Sequence, residues 1–346
     1  MKIRTSIILL LALLLGALQV SAQKDGFVIL GNVLLPDGYV AGVVCQTDTS
    51  LVQDMGSDTI RQGKFRLTGR LPHPQPATLM TNNLDLVQRN HWPEDSIRWT
   101  YTDIFLSNDT LRVSPDLHVE GSQVQGDFNA YQQTAKDSAA QWAFIDAHPH
   151  SVVSAWLANN ILQRGYRLTD AQVEHLAATI TAVPDDTIRM AELRRRIALA
   201  RMTTIGRPLI DLELKDTKGQ LTSLTNVLPK TRYVLVDFWA SWCGICLYYM
   251  PAVKQLASDY QGTLSVVAVS IDTKEQAWKN SMAKHPEAWP QYITTAKGYS
   301  DFFHKYQVGN GVPYFLLIGP DRHVVASPDS PDQVRALLKA ATEAEH

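Results

Sequence analysis

Two cysteines, Cys243 and Cys246, lie where a predicted strand ends and a predicted helix begins. Residues 233–238 are apolar and β-branched apart from Asp237, as in a buried parallel strand. Beyond Cys243, apolar residues recur at helical spacing as far as Leu256. A Cys-x-x-Cys pair at such a junction predicts either a dithiol redox centre or half of a metal site.

The chemistry that we expect of this pair is thiol–disulfide exchange. Cys243 would lie at a helix N-terminus, where unsatisfied N–H groups and the helix dipole favour a thiolate, so it is the candidate nucleophile. Cys246, one turn later, would be the resolving thiol and can close a disulfide with Cys243. The metal alternative requires further ligands at matching spacing, and the sequence contains no second Cys-x-x-Cys. We therefore assign no metal ligand.

The stretch Trp239-Ala-Ser-Trp-Cys-Gly-Ile-Cys246 resembles the active site of thioredoxin-fold thiol–disulfide oxidoreductases. With Phe238 in front of it, the motif is similar to that of the TlpA/ResA-like exported branch. Val312-Pro313 resembles the cis-proline loop, which in that fold lies against the cysteine pair. The resemblance covers roughly residues 205–346. It implies an enzyme that exchanges disulfides with proteins and uses no cofactor beyond the redox-active Cys243–Cys246 pair.

The resemblance also implies roles for neighbouring residues. Asp237 matches the buried acid of thioredoxins, and we expect it to transfer protons through water, against the alternative of a purely structural carboxylate. Trp242 is expected to cover the nucleophile, and the Val312–Pro313 bond is expected to be cis, with its backbone offered to the substrate chain. The residues predicted to bind substrate are Trp242, Gly244, Ile245, Val312 and Pro313.

Three positions depart from the family pattern. Ile245 stands where relatives commonly have proline, and its backbone N–H is expected to donate toward Cys243 Sγ and favour the thiolate. Replacing Ile245 by proline would then lower the reduction potential. Leu247 and Tyr249 replace a basic residue and a glutamate, which affects the expected potential and the acid–base partner but not the fold.

The elements around the motif follow the thioredoxin order. A strand pair, the central strand, the redox helix and a second parallel strand over residues 264–271 come first. A hairpin over residues 314–326 and a helix with Pro331 at its first position follow. The predicted fold class is therefore an α/β thioredoxin fold over residues 207–346, preceded by a small antiparallel β domain and a helical segment.

The first 22 residues predict export. Lys2 and Arg4 precede an apolar run over residues 7–15, and Val20-Ser-Ala22 is a small-residue cleavage site, as in a signal peptide. A retained transmembrane helix is the alternative, disfavoured because the apolar run is short. We expect a periplasmic or otherwise exported protein. The formal net charge of −2, without a basic run, gives no indication of nucleic-acid binding.

Residues 23–120 predict antiparallel β structure, because short apolar runs alternate with turn residues. They resemble the small β-sandwich module found ahead of thioredoxin domains in Bacteroidetes-type exported proteins. A docking or structural role is favoured over an independent enzyme. Cys45 is interpreted as a buried small hydrophobic residue rather than as a reactive thiol. Residues 121–206 predict a helical linker with a capping box at Thr169-Asp-Ala-Gln172. Its His148 and His150 are too few to predict a metal site.

Two other functions remain as alternatives. A peroxiredoxin shares the fold, but its Pro-x-x-x-Thr-x-x-Cys loop is absent from the sequence. A non-catalytic binding module is disfavoured, because both cysteines and the Val-Pro pair are present. The expected partners are protein disulfides or dithiols, with this chain as the reductant, and an unidentified upstream electron donor, for which a membrane-associated protein is one option.

Overall fold

The computed structural model describes residues 26–46, 52–135, 137–184, 186–230, 233–309 and 311–343. The predicted signal peptide, residues 1–22, lies outside them. No helix within these ranges is long and apolar enough to cross a membrane. The described chain divides into two compact units. The first contains the residues up to Trp142 with Ser151–Val153, and the second contains Ala143–His150 and the residues from Ser154 onward.

The first unit contains two four-stranded sheets. Their strand orders are β4-β1-β7-β8 and β3-β2-β5-β6. Phe27 and Ile29 alternate along β1 and point to a core that also takes apolar side chains from the other sheet, such as Ala41 and Val43 of β2. The strands are β1 (Phe27–Asn32), β2 (Val40–Gln46), β3 (Val52–Thr59), β4 (Lys64–Gly69), β5 (Gln75–Asn82), β6 (Trp99–Leu106), β7 (Thr110–Val113) and β8 (Val119–Glu120).

One strand pair corrects the prediction of a purely antiparallel module. Strand β1 pairs in parallel with β7, with Val28 opposite Thr110, while the other pairs in both sheets are antiparallel. Cys45 is fully buried on β2, and burial raises the pKa of its thiol. The unit also contains α1 (Leu84–Arg89), the 3-10 turn Glu94–Ser96 and α2 (Gln123–Gln132), which packs against β6.

The segment predicted as a helical linker, residues 121–206, is divided between the two units. Helix α2 belongs to the first unit, while most of the segment belongs to the second. The capping box at Thr169 and Gln172 is confirmed. The remaining helices of the segment are α3 (Ser138–Ala147), α4 (Val152–Ile161), α5 (Asp170–Thr179) and α6 (Thr187–Ala200). The positions of the domain boundaries stay a prediction.

His148 and His150, the two histidines considered above, take part in local contacts. The ring of His148 stacks on Phe144 with 4.4 Å between centroids. The His150 Nδ1 atom lies 3.3 Å from the carbonyl oxygen of Ala182. Within the described ranges, no group of three or more His, Cys, Asp or Glu side chains is arranged to hold a metal ion.

The second unit is built on a seven-stranded sheet with the order β10-β9-β13-β12-β11-β14-β15. Strand β11 is central, parallel to β12 and antiparallel to β14, and every residue in it is buried. The strands are β9 (Glu213–Lys215), β10 (Leu221–Ser223), β11 (Tyr233–Trp239), β12 (Leu264–Ser270), β13 (Gln291–Thr294), β14 (Tyr314–Ile318) and β15 (Val324–Ala326). The predicted order, strand–helix–strand followed by hairpin–helix, is present.

Helices cover both faces of this sheet. Val234, Val236 and Phe238 of β11 point to one core, which includes Trp278 and Phe302. Tyr233 and Leu235 of β11 point to the other core, with Val253, Leu256, Val334 and Leu338. The helices are α7 (Leu224–Val227), α8 (Gly244–Asp259), α9 (Glu275–Lys284), α10 (Ala296–Lys305) and α11 (Pro331–Glu343).

Candidate redox site

The two cysteines of the motif form a disulfide in the first turn of α8. Their S–S distance is 2.05 Å and their Cα atoms are 5.3 Å apart. Cys243 is the N-cap residue, and its Sγ atom accepts a hydrogen bond from the backbone N–H of Cys246 at 3.2 Å. The prediction that Cys243 lies at a helix N-terminus is therefore confirmed. In this oxidised form the cysteines are equally buried, at 5% and 4% exposure, so helix position rather than exposure distinguishes Cys243 as the nucleophile.

The backbone donor at this sulfur differs from the predicted one. The sequence predicts that Ile245 donates, but among the described hydrogen bonds Cys246 N–H is the donor to Cys243 Sγ. An N-cap side chain can accept from the second or the third helical residue, and here it accepts from the third. Gly244 and Ile245 are the first two residues of α8, and Cys246 is the third.

This difference changes the expectation for Ile245→Pro. Proline is tolerated in the first helical turn, where the backbone N–H has no intrahelical acceptor. Because the Cys246 donor remains, we expect the reduction potential to shift by less than about 30 mV, which corresponds to roughly 1.4 kcal/mol. Equilibration of parent and variant with glutathione buffers measures this shift. Ile245→Val is the control, since it keeps the N–H. A fall well beyond 30 mV in the proline variant alone would restore Ile245 N–H as the governing donor.

The Val312–Pro313 bond is cis, as predicted. The loop that contains it leads into β14, which pairs with β11, so the loop lies beside the N-terminus of α8. The carbonyl oxygen of Val312 is 3.6 Å from Cys243 Sγ. A disulfide sulfur carries no hydrogen, so this is a van der Waals contact here. Only the reduced thiol can donate to that carbonyl.

A carboxylate that was assigned no role from the sequence, Asp272, fixes the loop between β11 and α8. Asp272 is buried just after β12 and accepts hydrogen bonds from the Ser241 N–H at 2.9 Å and the Ser241 hydroxyl at 2.7 Å. It also accepts from the Ser270 hydroxyl at 2.7 Å. Because the parallel strands β11 and β12 end at the same sheet edge, the serine after β11 and the aspartate after β12 could have been predicted to meet.

Asp237 is buried on the side of β11 that faces α8. It alternates with Tyr233 and Leu235, which pack in one core with Val253 and Leu256 of that helix. Burial raises the pKa of the Asp237 carboxyl to about 7. The structure thus places an acid that titrates near neutrality beneath the redox helix. Its proton-transfer role stays a prediction.

Tyr249 lies close to the same place. Its ring centroid is 6.3 Å from that of Phe315, and Phe315 is the cross-strand neighbour of Asp237 on β14. The Tyr249 ring therefore packs on the face of the sheet that Asp237 also occupies.

The surface around Cys243 is apolar and open. Trp242, Ile245 and Tyr248 are 66%, 47% and 74% exposed. A Cβ atom built on Gly244 would meet no atom within 4 Å, so nothing in the described chain fills the space beside Cys243. The disulfide thus lies under a solvent-facing apolar surface. The predicted part of Trp242 in covering the nucleophile stays a prediction.

Comparison with known proteins agrees with the fold. Residues 231–324 match a family model described as thioredoxin-like. The second unit thus contains a thioredoxin-like α/β domain that carries the Cys243–Cys246 pair, preceded along the chain by β-sheets and helices.

Two curated proteins illustrate the sequence similarity. Thioredoxin 1 of Chlorobaculum tepidum is 52% identical over 53 residues, which is 15% of this chain and 48% of that protein. The thioredoxin-like protein YneN of Bacillus subtilis is 37% identical over 78 residues, which is 22% of this chain and 45% of that protein. The chain thus spans less than half the length of the curated relatives it matches.

Two solved structures are also similar. The thioredoxin domain of a thiol-disulfide oxidoreductase from Bacteroides vulgatus is 25% identical, with a TM-score of 0.36, over 39% of this chain and 96% of that one. A thioredoxin-like protein from Bacteroides caccae is 16% identical, with a TM-score of 0.42, over 58% of this chain and 77% of that one.

Proposed function

We propose that the chain is an exported thiol–disulfide oxidoreductase that reduces protein disulfides with the Cys243–Cys246 dithiol. The observation that carries this proposal is the disulfide in the first turn of α8. One sulfur of that disulfide accepts a helix N–H and contacts the carbonyl of the residue before a cis proline. This arrangement supplies a sulfur held for attack, a second sulfur within bonding distance, and the Val312 backbone in contact with the first.

The reaction proceeds in two exchanges. The Cys243 thiolate attacks one sulfur of the substrate disulfide, forms a mixed disulfide and releases the other substrate sulfur as a thiolate, which takes up a proton. Cys246 then loses its proton and attacks Cys243, which closes the intramolecular disulfide and releases the second substrate thiol. Two electrons pass from the dithiol to the substrate. A dithiol donor must return them for another turnover.

Each predicted site residue has a part in this proposal. Asp237 accepts the proton of Cys246 through water, because its pKa of about 7 leaves part of its population ionised at neutral pH. The Val312 backbone pairs with the substrate chain, and the exposed Trp242 and Ile245 give it an apolar surface. Gly244 leaves room beside the nucleophile. Pro313 fixes the loop in position.

The finer assignments belong to the same proposal. The Phe-Trp-Ala-Ser-Trp-Cys version of the motif supports membership of the TlpA/ResA-like exported branch. The leader-like first 22 residues support a periplasmic location. The two sheets of the first unit, with their common core, support a sandwich-like docking or structural module. A membrane-associated dithiol protein is the electron donor that such a location favours.

Reduction of insulin tests the proposal. The reduced protein is mixed with insulin, with hydrogen peroxide or with buffer alone, and oxidation of the Cys243–Cys246 pair is followed by mass spectrometry after quenching with acid. We expect insulin to oxidise the pair faster than peroxide at equal concentration. Faster oxidation by peroxide would indicate a thiol peroxidase. No oxidation by either reagent would indicate a non-catalytic module.

A further inference from the structure

The turn that follows α4 is attached to the cis-proline loop by three successive residues. Gln163 accepts a hydrogen bond from Gly309 N–H at 3.2 Å through its backbone carbonyl. Gly165 donates its N–H to the Tyr306 carbonyl at 2.7 Å and accepts from the Tyr314 hydroxyl at 2.8 Å. The 163–165 turn therefore holds the segment before and after Pro313 at several points.

Arg164 makes the contact nearest to the redox site. Its Nη2 atom donates to the Pro313 carbonyl at 3.1 Å, and its Nη1 atom donates to Asp329 at 3.1 Å. Its guanidinium carbon is 5.4 Å from the centroid of the buried Tyr314 ring. The side chain is only 18% exposed. Three separate contacts thus fix the orientation of a mostly buried charged group.

The Pro313 carbonyl needs such a donor. The ladder between β11 and β14 begins with Phe238 opposite Tyr314, so Pro313 lies outside it. A carbonyl next to a buried strand costs free energy if it is left without a hydrogen-bond donor. Arg164 supplies a charged donor to this carbonyl, one residue from the Val312 backbone that contacts Cys243.

Close packing leaves this turn little freedom to move. A Cβ atom on Gly165 would lie 2.9 Å from the Tyr306 carbonyl oxygen and 3.0 Å from the Thr203 Cβ atom, so only glycine fits without displacing its neighbours. The hydroxyl of the next residue, Tyr166, donates to the Pro208 carbonyl and accepts from Ile210 N–H. The 163–165 turn is therefore held in one position, and so are the backbone groups near Pro313 to which it is hydrogen-bonded.

We propose that Arg164 is a positioning residue that holds the Val312–Pro313 backbone in the geometry required to bind an extended polypeptide disulfide. The inference rests on the proposed function, and it places a specificity element outside residues 231–324, the part that matches the thioredoxin-like model. Substrates with a polypeptide chain should depend on Arg164. Small disulfides that contact only the sulfurs should not.

Single-turnover kinetics test this inference. Reduced parent and Arg164→Ala are mixed with insulin and, separately, with 4,4′-dithiodipyridine, a small disulfide. We expect the second-order rate constant with insulin to fall about tenfold, the loss expected when one charge-assisted hydrogen bond is removed. The rate constant with dithiodipyridine and the reduction potential should remain at the parent values.

Two further variants make the test specific. Arg167 also pairs with Asp329, but among the described contacts it does not bond to Pro313, so Arg167→Ala is the matched control and should retain the parent rate with insulin. Arg164→Lys keeps the charge without the planar two-donor geometry. It should fall between the parent and Arg164→Ala with insulin. Thermal unfolding of each variant shows whether the fold is retained.

The outcomes separate the two proposals. If the parent reduces insulin and Arg164→Ala does so at the same rate, the positioning role is wrong. The same holds if Arg167→Ala loses as much as Arg164→Ala, or if insulin and dithiodipyridine slow equally. If Arg164→Ala unfolds, the test rests on Arg164→Lys. An Arg164→Lys variant that reduces insulin at the parent rate would overturn the inference. If the parent reacts with dithiodipyridine but not with insulin, the proposed function fails instead.

Discussion

Serine in place of Cys243 is expected to abolish disulfide exchange, whereas serine in place of Cys246 is expected to accumulate mixed disulfides with substrate. Cys243 caps α8 and accepts the Cys246 N–H, so its sulfur is the one that the helix N-terminus stabilises as a thiolate. Without Cys246, the first attack proceeds but no second thiol resolves the product. Non-reducing electrophoresis after incubation with insulin should show the mixed disulfide with Cys246→Ser alone.

Alkylation gives an independent check on this assignment. In the reduced parent at neutral pH, Cys243 should react with iodoacetamide before Cys246, and peptide mass spectrometry identifies the modified residue. The double variant Cys243→Ser/Cys246→Ser is the control, since it retains only Cys45, which is fully buried. If Cys246 were modified first, or if Cys243→Ser formed the mixed disulfide, the two roles would be reversed.

Asparagine in place of Asp237 is expected to slow insulin reduction on the order of a hundredfold at pH 7, the usual size of a general acid–base contribution. The difference should shrink above about pH 9, where the Cys246 thiol ionises without help. The measurement is the pH–rate profile of parent and variant between pH 6 and 10. Profiles of the same shape would remove Asp237 from the mechanism.

The same variant should change the pH dependence of stability. The folded protein holds a proton on Asp237 up to about pH 7, while an unfolded aspartate releases it near pH 4. The unfolding free energy of the parent therefore decreases as pH rises from about 4 to about 7, by up to about 4 kcal/mol. Asparagine has no proton to lose, so Asp237→Asn should gain stability relative to the parent over that window.

Urea unfolding of the oxidised proteins at pH 4, 6 and 8 measures this difference. The difference in unfolding free energy between variant and parent should widen up to about pH 7 and then stay constant. Above that pH the Asp237 carboxyl is ionised in both the folded and the unfolded parent. Glu213→Gln is a suitable control, because Glu213 is only half-buried and hydrogen-bonded to Thr295. A gap independent of pH would show that the Asp237 carboxyl does not titrate near neutrality.

The redox centre could be predicted from the sequence because its residues are close along the chain. An apolar strand, two cysteines at helical spacing and a cap position are all local signals, and the structure contains them at the predicted places. The capping box at Thr169 is confirmed for the same reason. The one local error, the donor at Cys243 Sγ, came from assigning the bond to the second rather than the third helical residue.

The contacts that support the centre could not be predicted in this way. Ser241 and Asp272 are 31 residues apart, and Arg164 and Pro313 are 149 residues apart, so only the folded chain brings them together. Strand β3 (Val52–Thr59) could not be predicted from its residues either, because Asp, Ser and Gly interrupt any apolar alternation in it. Strands β1 and β7 are far apart along the chain but pair directly and in parallel, and sequence periodicity does not specify the direction in which two strands pair.

Because Cys45 is buried, a thiol-labelling reagent cannot reach it while the protein is folded. Inside the β2 strand, with its thiol pKa raised, it is hidden both from solvent and from the exchange chemistry of another copy. Concentrated solutions should therefore stay free of dimers linked through Cys45. A thiol-labelling mass increase then reports the oxidation state directly: no label on the folded oxidised chain, two on the folded reduced chain, and a third only once the first unit has come apart.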